Sequence, residues 1–319
     1  MRKNQFLFLV AVSMVPFVVI SFLFKKSGET NFIFEKIPIE KNPIAQKQDD
    51  ENITVRIKTN KEILTLDLEE YIIGVVAGEM PASFNEEALK AQAVASRSYA
   101  LYRKNNSNGS YDLTDNINTQ VYINEASMRQ KWANEYEKYY NRIKNCVNAT
   151  KGEVLVYDGN IVEALYFSMS NGQTQNSQSV FGGYREYLQS VESIYDNDSI
   201  SHFDYTRNIN ISDFKNSLGI TCDKIDIKDI KYNDSHYIES ITICDKVFTG
   251  MQVRNRLALR SDDFIIEVGD TVKITTYGFG HGVGMSQYGA QGYAQNGYTY
   301  DEILEHYYNG AKIKNIKNV

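Results

Sequence analysis

The sequence predicts an α+β protein of mixed helices and β-hairpins, and three observations carry that reading. Helical and strand patterns intermix without the regular strand–helix–strand rhythm of a parallel sheet. Hairpin signals near 53–66 and at Asp158-Gly159 imply antiparallel pairing. An alanine-rich stretch after residue 85 repeats at helical spacing.

Taken in order, residues 6–24 are almost continuously apolar, broken only by Ser13, Pro16 and Ser21, which is about the length of a bilayer-crossing helix. Arg2 and Lys3 precede them, Lys25 and Lys26 follow, and no small-x-small cleavage signature stands before Lys25. The expectation is an uncleaved anchor over 1–26 with its amino terminus inside and the rest of the chain outside the cytoplasm. A polar stretch with Pro38 and Pro43 makes 27–52 a linker, leaving 53–319 as a membrane-anchored ectodomain.

Ile53, Val55 and Ile57 alternate with polar residues, and Thr59-Asn60-Lys61 turns the chain into a second strand ending at Leu66. Asp67 with Glu70 resembles a capping box for a short helix reaching about Ala77. Ser83 with Glu86 signals a long helix over about 85–104, where Ala88, Ala91, Ala95, Ser98 and Tyr102 make a face of mostly small residues. A loop follows, then a polar helix over 125–149, then strands at 153–157 and 161–167. Residues 168–198 are rich in Ser, Asn, Gln and Gly, too long for a bare connector and so a candidate binding loop. The segment 208–262 reads as a smaller second lobe beside the catalytic core, with a strand near Tyr237 to Cys244 and a helix capped by Thr249. Strands at 264–268 and 271–276 lead into a glycine-rich loop and two short helices, the second capped by Thr299 with Glu302.

Composition narrows the partners. The net charge is −6, and no basic stripe runs along the chain, which argues against nucleic acid. Tyrosine is abundant (23, against one tryptophan), as suits a sugar-binding groove and equally suits ordinary core filling. Of three cysteines, Cys146 stands alone, while Cys222 and Cys244 are either paired or separately buried. There is no Cys-x-x-Cys, and His202, His236, His281 and His306 are scattered, so spacing indicates no metal site.

Three segments carry the chemistry. In Gly78-Glu79-Met80-Pro81 the proline biases Met80 towards extended backbone and sets Glu79 on a defined turn before the long helix. A carboxyl fixed there is a candidate catalytic acid, and also a residue that a helix dipole favours near its positive end. No second carboxylate stands out; Glu86 and Glu87 belong to the first turn of the long helix. Gln92 and Arg97 lie on that helix, where the guanidinium suits a substrate clamp, a tie to Glu79 or a structural ion pair. The second segment runs from Gly278 to Ala290, with His281, Ser286 and Gln287 among alternating glycines; it is neither a Walker loop nor a dinucleotide fingerprint. His281 fits an acid, base or substrate donor, although a histidine between glycines is more often structural. The third is Ser168 to Thr174, including Ser170, with Tyr187-Leu188-Gln189 downstream; loop hydroxyls and amides suit carbohydrate and are also ordinary turn residues.

Together, Glu79-Met80-Pro81, the Ala88 to Arg97 helix, the Ser168 to Thr174 loop and His281 to Ala290 resemble the stage II sporulation protein D family over about residues 53–315. These are peptidoglycan lytic transglycosylases of endospore-forming bacteria, with amidase-enhancer proteins in the wider family. The resemblance implies that Glu79 is the catalytic glutamate, Arg97 a required helix arginine and Tyr187 a substrate-binding tyrosine. Gln92, Ser170, His281, Ser286 and Gln287, from the segments read above, are the further candidate substrate-binding positions. The implied substrate is glycan already stripped of stem peptides by a partner amidase, stage II sporulation protein P. A membrane protein, stage II sporulation protein M, would hold the two together in the engulfing mother-cell membrane. The chain departs from the family pattern at Gln189, where a lysine is expected, and in residues 111–125, which lack the Cys and His of zinc-binding members. No zinc and no other cofactor is therefore expected. The implied reaction needs only one carboxyl, acting as acid and then base. The competing readings are a non-catalytic wall-binding protein that enhances an amidase, and a metal-dependent hydrolase.

Overall fold

The computed structural model describes residues 53–196 and 203–319; the expected anchor and linker lie outside the described residues. Among the described residues, no helix is long and apolar enough to cross a membrane. The fold is α+β, as expected.

Strands β1 (Thr54–Lys58) and β2 (Ile63–Asp67) form the first hairpin, with Val55 opposite Leu66. Asp67 then caps α1 (Leu68–Glu79), accepting the N–H groups of Glu69 and Glu70. Helix α2 (Glu86–Asn105) starts one residue after its cap, Asn85, rather than after the expected Ser83. Its small face buries Ala88, Ala91, Ala95 and Ser98, letting α2 pack closely as the centre of the larger apolar cluster. Strand β3 (Leu113–Thr114) joins β1 in parallel.

The polar stretch expected as one helix is broken into α3 (Glu125–Trp132) and α4 (Tyr136–Ala149). The break lies at Ala133, which turns to a φ of 44° and closes α3. Strand β4 (Glu153–Tyr157) turns through Asp158-Gly159 into β5 (Asn160–Ile161). The second strand expected at 161–167 is also divided. Tight backbone bonds from Ala164 to Val162 and from Leu165 to Glu163 lift the chain off that sheet, and β6 (Tyr166–Phe167) pairs elsewhere.

After α5 (Ser177–Phe181), a second buried cluster forms from β7 (Asp204–Ile209), α6 (Ile211–Leu218), β8 (Ile227–Tyr232), β9 (Ile238–Ile243), β10 (Lys246–Phe248) and α7 (Gly250–Leu257). Strands β11 (Phe264–Val268) and β12 (Val272–Tyr277) complete it, β12 pairing with β7 so that Val272 faces Ile209. Cys222 and Cys244 are disulfide-bonded within it, which decides between the alternatives left by spacing, while Cys146 is a buried free thiol. The chain then returns to the first cluster through β13 (Met285–Ser286), α8 (Gln287–Gln295), α9 (Tyr300–Tyr307) and β14 (Lys312–Asn315). The last strand, which no sequence signal marked, pairs with β4 and sets Ile313 opposite Leu155.

Candidate active site

Glu79 is the last residue of α1, not the first of the next helix. The distinction changes its electrostatics. A helix carboxy terminus is the negative end of the dipole, so it disfavours a charged carboxylate that a helix start would welcome. The capping explanation for Glu79 therefore falls away. Met80 is extended, as Pro81 requires, and its burial holds the turn between α1 and α2 against the core.

Three donors from distant parts of the chain meet this partly exposed carboxyl. The Val121 N–H donates to Oε1 at 2.6 Å, and the Tyr166 hydroxyl lies 3.4 Å from the same oxygen. The Gln287 amide donates to Oε2 at 3.4 Å and faces the Gln92 carbonyl oxygen at the same distance. Behind them, Gln92 donates to Ser96, and Gln120 donates to the Tyr166 oxygen while accepting from Tyr71. Among the described residues, no second carboxyl joins this hydrogen-bonded group.

Each donor has a structural cause. Gly78 leaves room for the 120–123 segment; a Cβ there would stand 2.5 Å from the Val121 carbonyl oxygen. Tyr166 and Gln287 arrive together, because β6 pairs in parallel with β13 and Gln287 follows β13 directly. That pairing depends on Gly284, which has a φ of 82° and whose absent Cβ would fall 2.0 Å from the Leu165 carbonyl oxygen.

Burial raises the Glu79 carboxyl above its ordinary value, and the hydrogen bonds from Val121, Gln287 and Tyr166, with the nearby Lys131 ammonium, pull the other way. Lys131 also donates to the Ala77 carbonyl oxygen at 2.8 Å, capping the end of α1. The result is an acid that keeps its proton at higher pH yet has donors ready for the carboxylate it becomes.

The other expected site residues divide. Gln92 and Gln287 belong to the Glu79 group. Arg97 does not; of the alternatives left open for it, the structure shows an ion pair: fully buried, it forks onto Glu69 at 3.0 and 2.7 Å and donates to the Glu153 carbonyl oxygen. Glu69 lies in the first turn of α1 and Glu79 ends it, some 15 Å apart along the axis. Ser170 and Ser286 are buried and donate to Asp196, which sequence reading had not singled out. Burial lifts the Asp196 carboxyl to about 6.

His281 is held between Phe167 and Phe181, with ring centroids 5.7 and 5.5 Å away, and its Nδ1 accepts the Val283 N–H. Burial, with the Arg254 charge, pushes its pKa down to about 4, which favours the neutral ring. Tyr187 is half-buried against Tyr157, its oxygen accepting the Glu163 N–H at 3.3 Å, which sets it apart from the hydrogen bonds of the Glu79 group. Tyr166 and Val121 were missed: one is a single tyrosine among many, the other a backbone N–H that leaves no mark in a sequence.

Two concavities lie elsewhere. One of about 340 Å³ is lined by Asn171, Gln173, Glu192, Ser235, His236 and Asp263, among others. A second, of about 300 Å³, lies by Arg207 and Arg256. Neither includes Glu79. The hydrogen-bonded carboxyl, not cavity volume, marks the chemistry.

Residues 57–157, which contain Glu79, match the family model described as stage II sporulation protein. The chain is 35% identical over 317 residues to stage II sporulation protein D of Bacillus subtilis (strain 168), covering 95% of this chain and 92% of that one. It is 36% identical over 279 residues to the protein of that name from Bacillus amyloliquefaciens, covering 84% of this chain and 80% of the relative. It is also similar, at 26% over 296 residues, to the amidase enhancer of Bacillus subtilis, covering 75% of this chain and 40% of that one. With 35% identity running through nearly its whole length, the chain belongs to the stage II sporulation protein D family.

Proposed function

We propose that this chain is a peptidoglycan lytic transglycosylase that cuts peptide-stripped glycan strands during forespore engulfment. The observation that carries the reading is the Glu79 carboxyl, whose protonated form burial favours and whose hydrogen-bonded group among the described residues, with Val121, Tyr166 and Gln287, includes no second carboxyl. Glycosidases that use water or a covalent intermediate ordinarily need two carboxyl groups. An intramolecular hydroxyl nucleophile needs one.

Protonated Glu79 donates to the oxygen linking N-acetylmuramic acid to N-acetylglucosamine, and the bond from that oxygen to the muramic anomeric carbon breaks. The new carboxylate is received by the Val121 N–H, the Gln287 amide and the Tyr166 hydroxyl, donors already in place. It then takes the proton of the muramic 6-hydroxyl as that oxygen closes on the anomeric carbon. The products are a 1,6-anhydromuramic end and a free 4-hydroxyl, and Glu79 is protonated again. No water is consumed.

On this reading the substrate-stripping amidase is stage II sporulation protein P, with stage II sporulation protein M as the membrane partner, and the catalytic region lies outside the cytoplasm. The Cys222–Cys244 disulfide supports that placement, since such bonds persist in oxidising compartments. A second reading, a non-catalytic enhancer of a wall amidase, is favoured by the similarity to the amidase enhancer. Incubating the full-length protein with peptide-free glycan and analysing the products by mass spectrometry separates the two. Release of 1,6-anhydro ends that disappears with Glu79→Gln supports the transglycosylase. Glycan binding without anhydro ends supports the enhancer.

A further inference from the structure

Asp196 is fully buried, and the chemistry above makes no use of it. Its Oδ1 accepts from the Ser286 hydroxyl at 2.6 Å, and its Oδ2 accepts from the Ser170 hydroxyl at 2.5 Å and the Ser170 N–H at 3.3 Å. Ser193 adds a further side-chain hydrogen bond. Among the described residues, these partners are hydroxyls and N–H groups, and no cation pairs with it. Burying a carboxylate without a counter-charge is unfavourable, and an apolar residue would carry no such cost.

What an ionised carboxylate supplies is pure acceptance. Facing it, both serine hydroxyls have to donate, so their oxygens are left to accept backbone N–H groups. The Ser286 oxygen takes the Gly289 N–H at 3.1 Å and so caps α8, while the Ser170 oxygen takes the Gly172 N–H at 3.0 Å. One carboxylate thereby orders the start of α8 and the 170–172 turn together. The first residue of α8 is Gln287, which donates to Glu79.

We propose that Asp196 is the positioning residue of the Glu79 site, acting through Ser286 to hold the first turn of α8, and with it Gln287, against the acid. The kinetic part of the test rests on Glu79 being the catalytic acid; the titration part does not. In full-length chain carrying carbon-13-labelled glutamate carboxyls, the Glu79 signal is identified by its loss in Glu79→Gln and followed against pH.

Because the Gln287 amide favours the ionised form, losing its aim moves the Glu79 titration upward. Asp196→Asn and Gln287→Ala should each produce that upward shift, and the double variant should shift no further than Gln287→Ala alone. In Asp196→Asn the basic limb of the kcat profile should move with it while KM stays near the wild-type value. Ser286→Ala cuts the same link from the other side, and decides the matter if Asp196→Asn fails to fold. An unmoved Glu79 titration in a folded variant, or shifts that add in the double variant, overturns the proposal. If the titrations behave as expected but the wild type releases no anhydro ends, the positioning role stands and the transglycosylase reading falls.

Discussion

At the scale of single residues, the proton on Glu79 is set by opposed effects of known sign. Burial and the negative end of α1 hold the proton on, while Val121, Gln287, Tyr166 and Lys131 ease it off; burial prevails. The folded pKa thus lies above the unfolded one, near 4.5. The stability linked to it is complete below that unfolded value and is lost as pH rises through the folded one. Glu79→Gln should therefore be at least as stable as wild type at neutral pH, measured by thermal unfolding. Its release of anhydro ends should fall roughly 100- to 10,000-fold, the usual contribution of a positioned acid. Arg97 behaves oppositely. Arg97→Ala leaves Glu69 and two backbone carbonyls without their buried partner, and should lower unfolding free energy by about 3–5 kcal/mol in denaturant titrations with little effect on KM. Both residues drew notice in the sequence, but only contacts distinguish an acid from a brace.

At the scale of elements, the site is assembled by close backbone approach. Glycine marks those places in the sequence, and the Gly278 to Ala290 segment was legible as a loop needing room. What it approaches was not legible, because Leu165 lies far away in sequence and meets Gly284 only after the strand at 161–167 divides. The Gly78 position is similar: it reads as part of a turn, yet it lies within α1 and admits the 120–123 segment. Gly78→Ala would push Val121 away and remove the shortest hydrogen bond to Glu79. The expected outcome is a further rise in the pH at which Glu79 titrates, readable as an upward shift of the basic limb of the kcat profile, together with a loss of stability. A variant that destabilises the fold without moving that limb would show that Val121 does not tune the acid.

At the scale of the whole molecule, the apolar side chains gather into two clusters, one around α2 and one closed by the Cys222–Cys244 disulfide. The acid and its donors lie with the first. Replacing both cysteines by alanine should lower stability by roughly 2–4 kcal/mol in denaturant unfolding, since a bond across 22 residues restricts the unfolded chain. The Glu79 titration should be unchanged, because no residue of the second cluster contacts that carboxyl among the described residues. Local periodicity and capping residues determined much of this protein by themselves: the first hairpin, α2 with its small face, the Thr249 and Thr299 caps, and Glu79 as the residue to test. Those features depend on neighbours a few positions away, which a sequence displays. Whether Glu79 opens or closes a helix, that Arg97 braces Glu69, and that Tyr166, Val121 and Gln287 surround one carboxyl were decided by tertiary structure. Such contacts join segments separated by tens to hundreds of residues, and burial, which sets the charge on the acid, exists only once they have met.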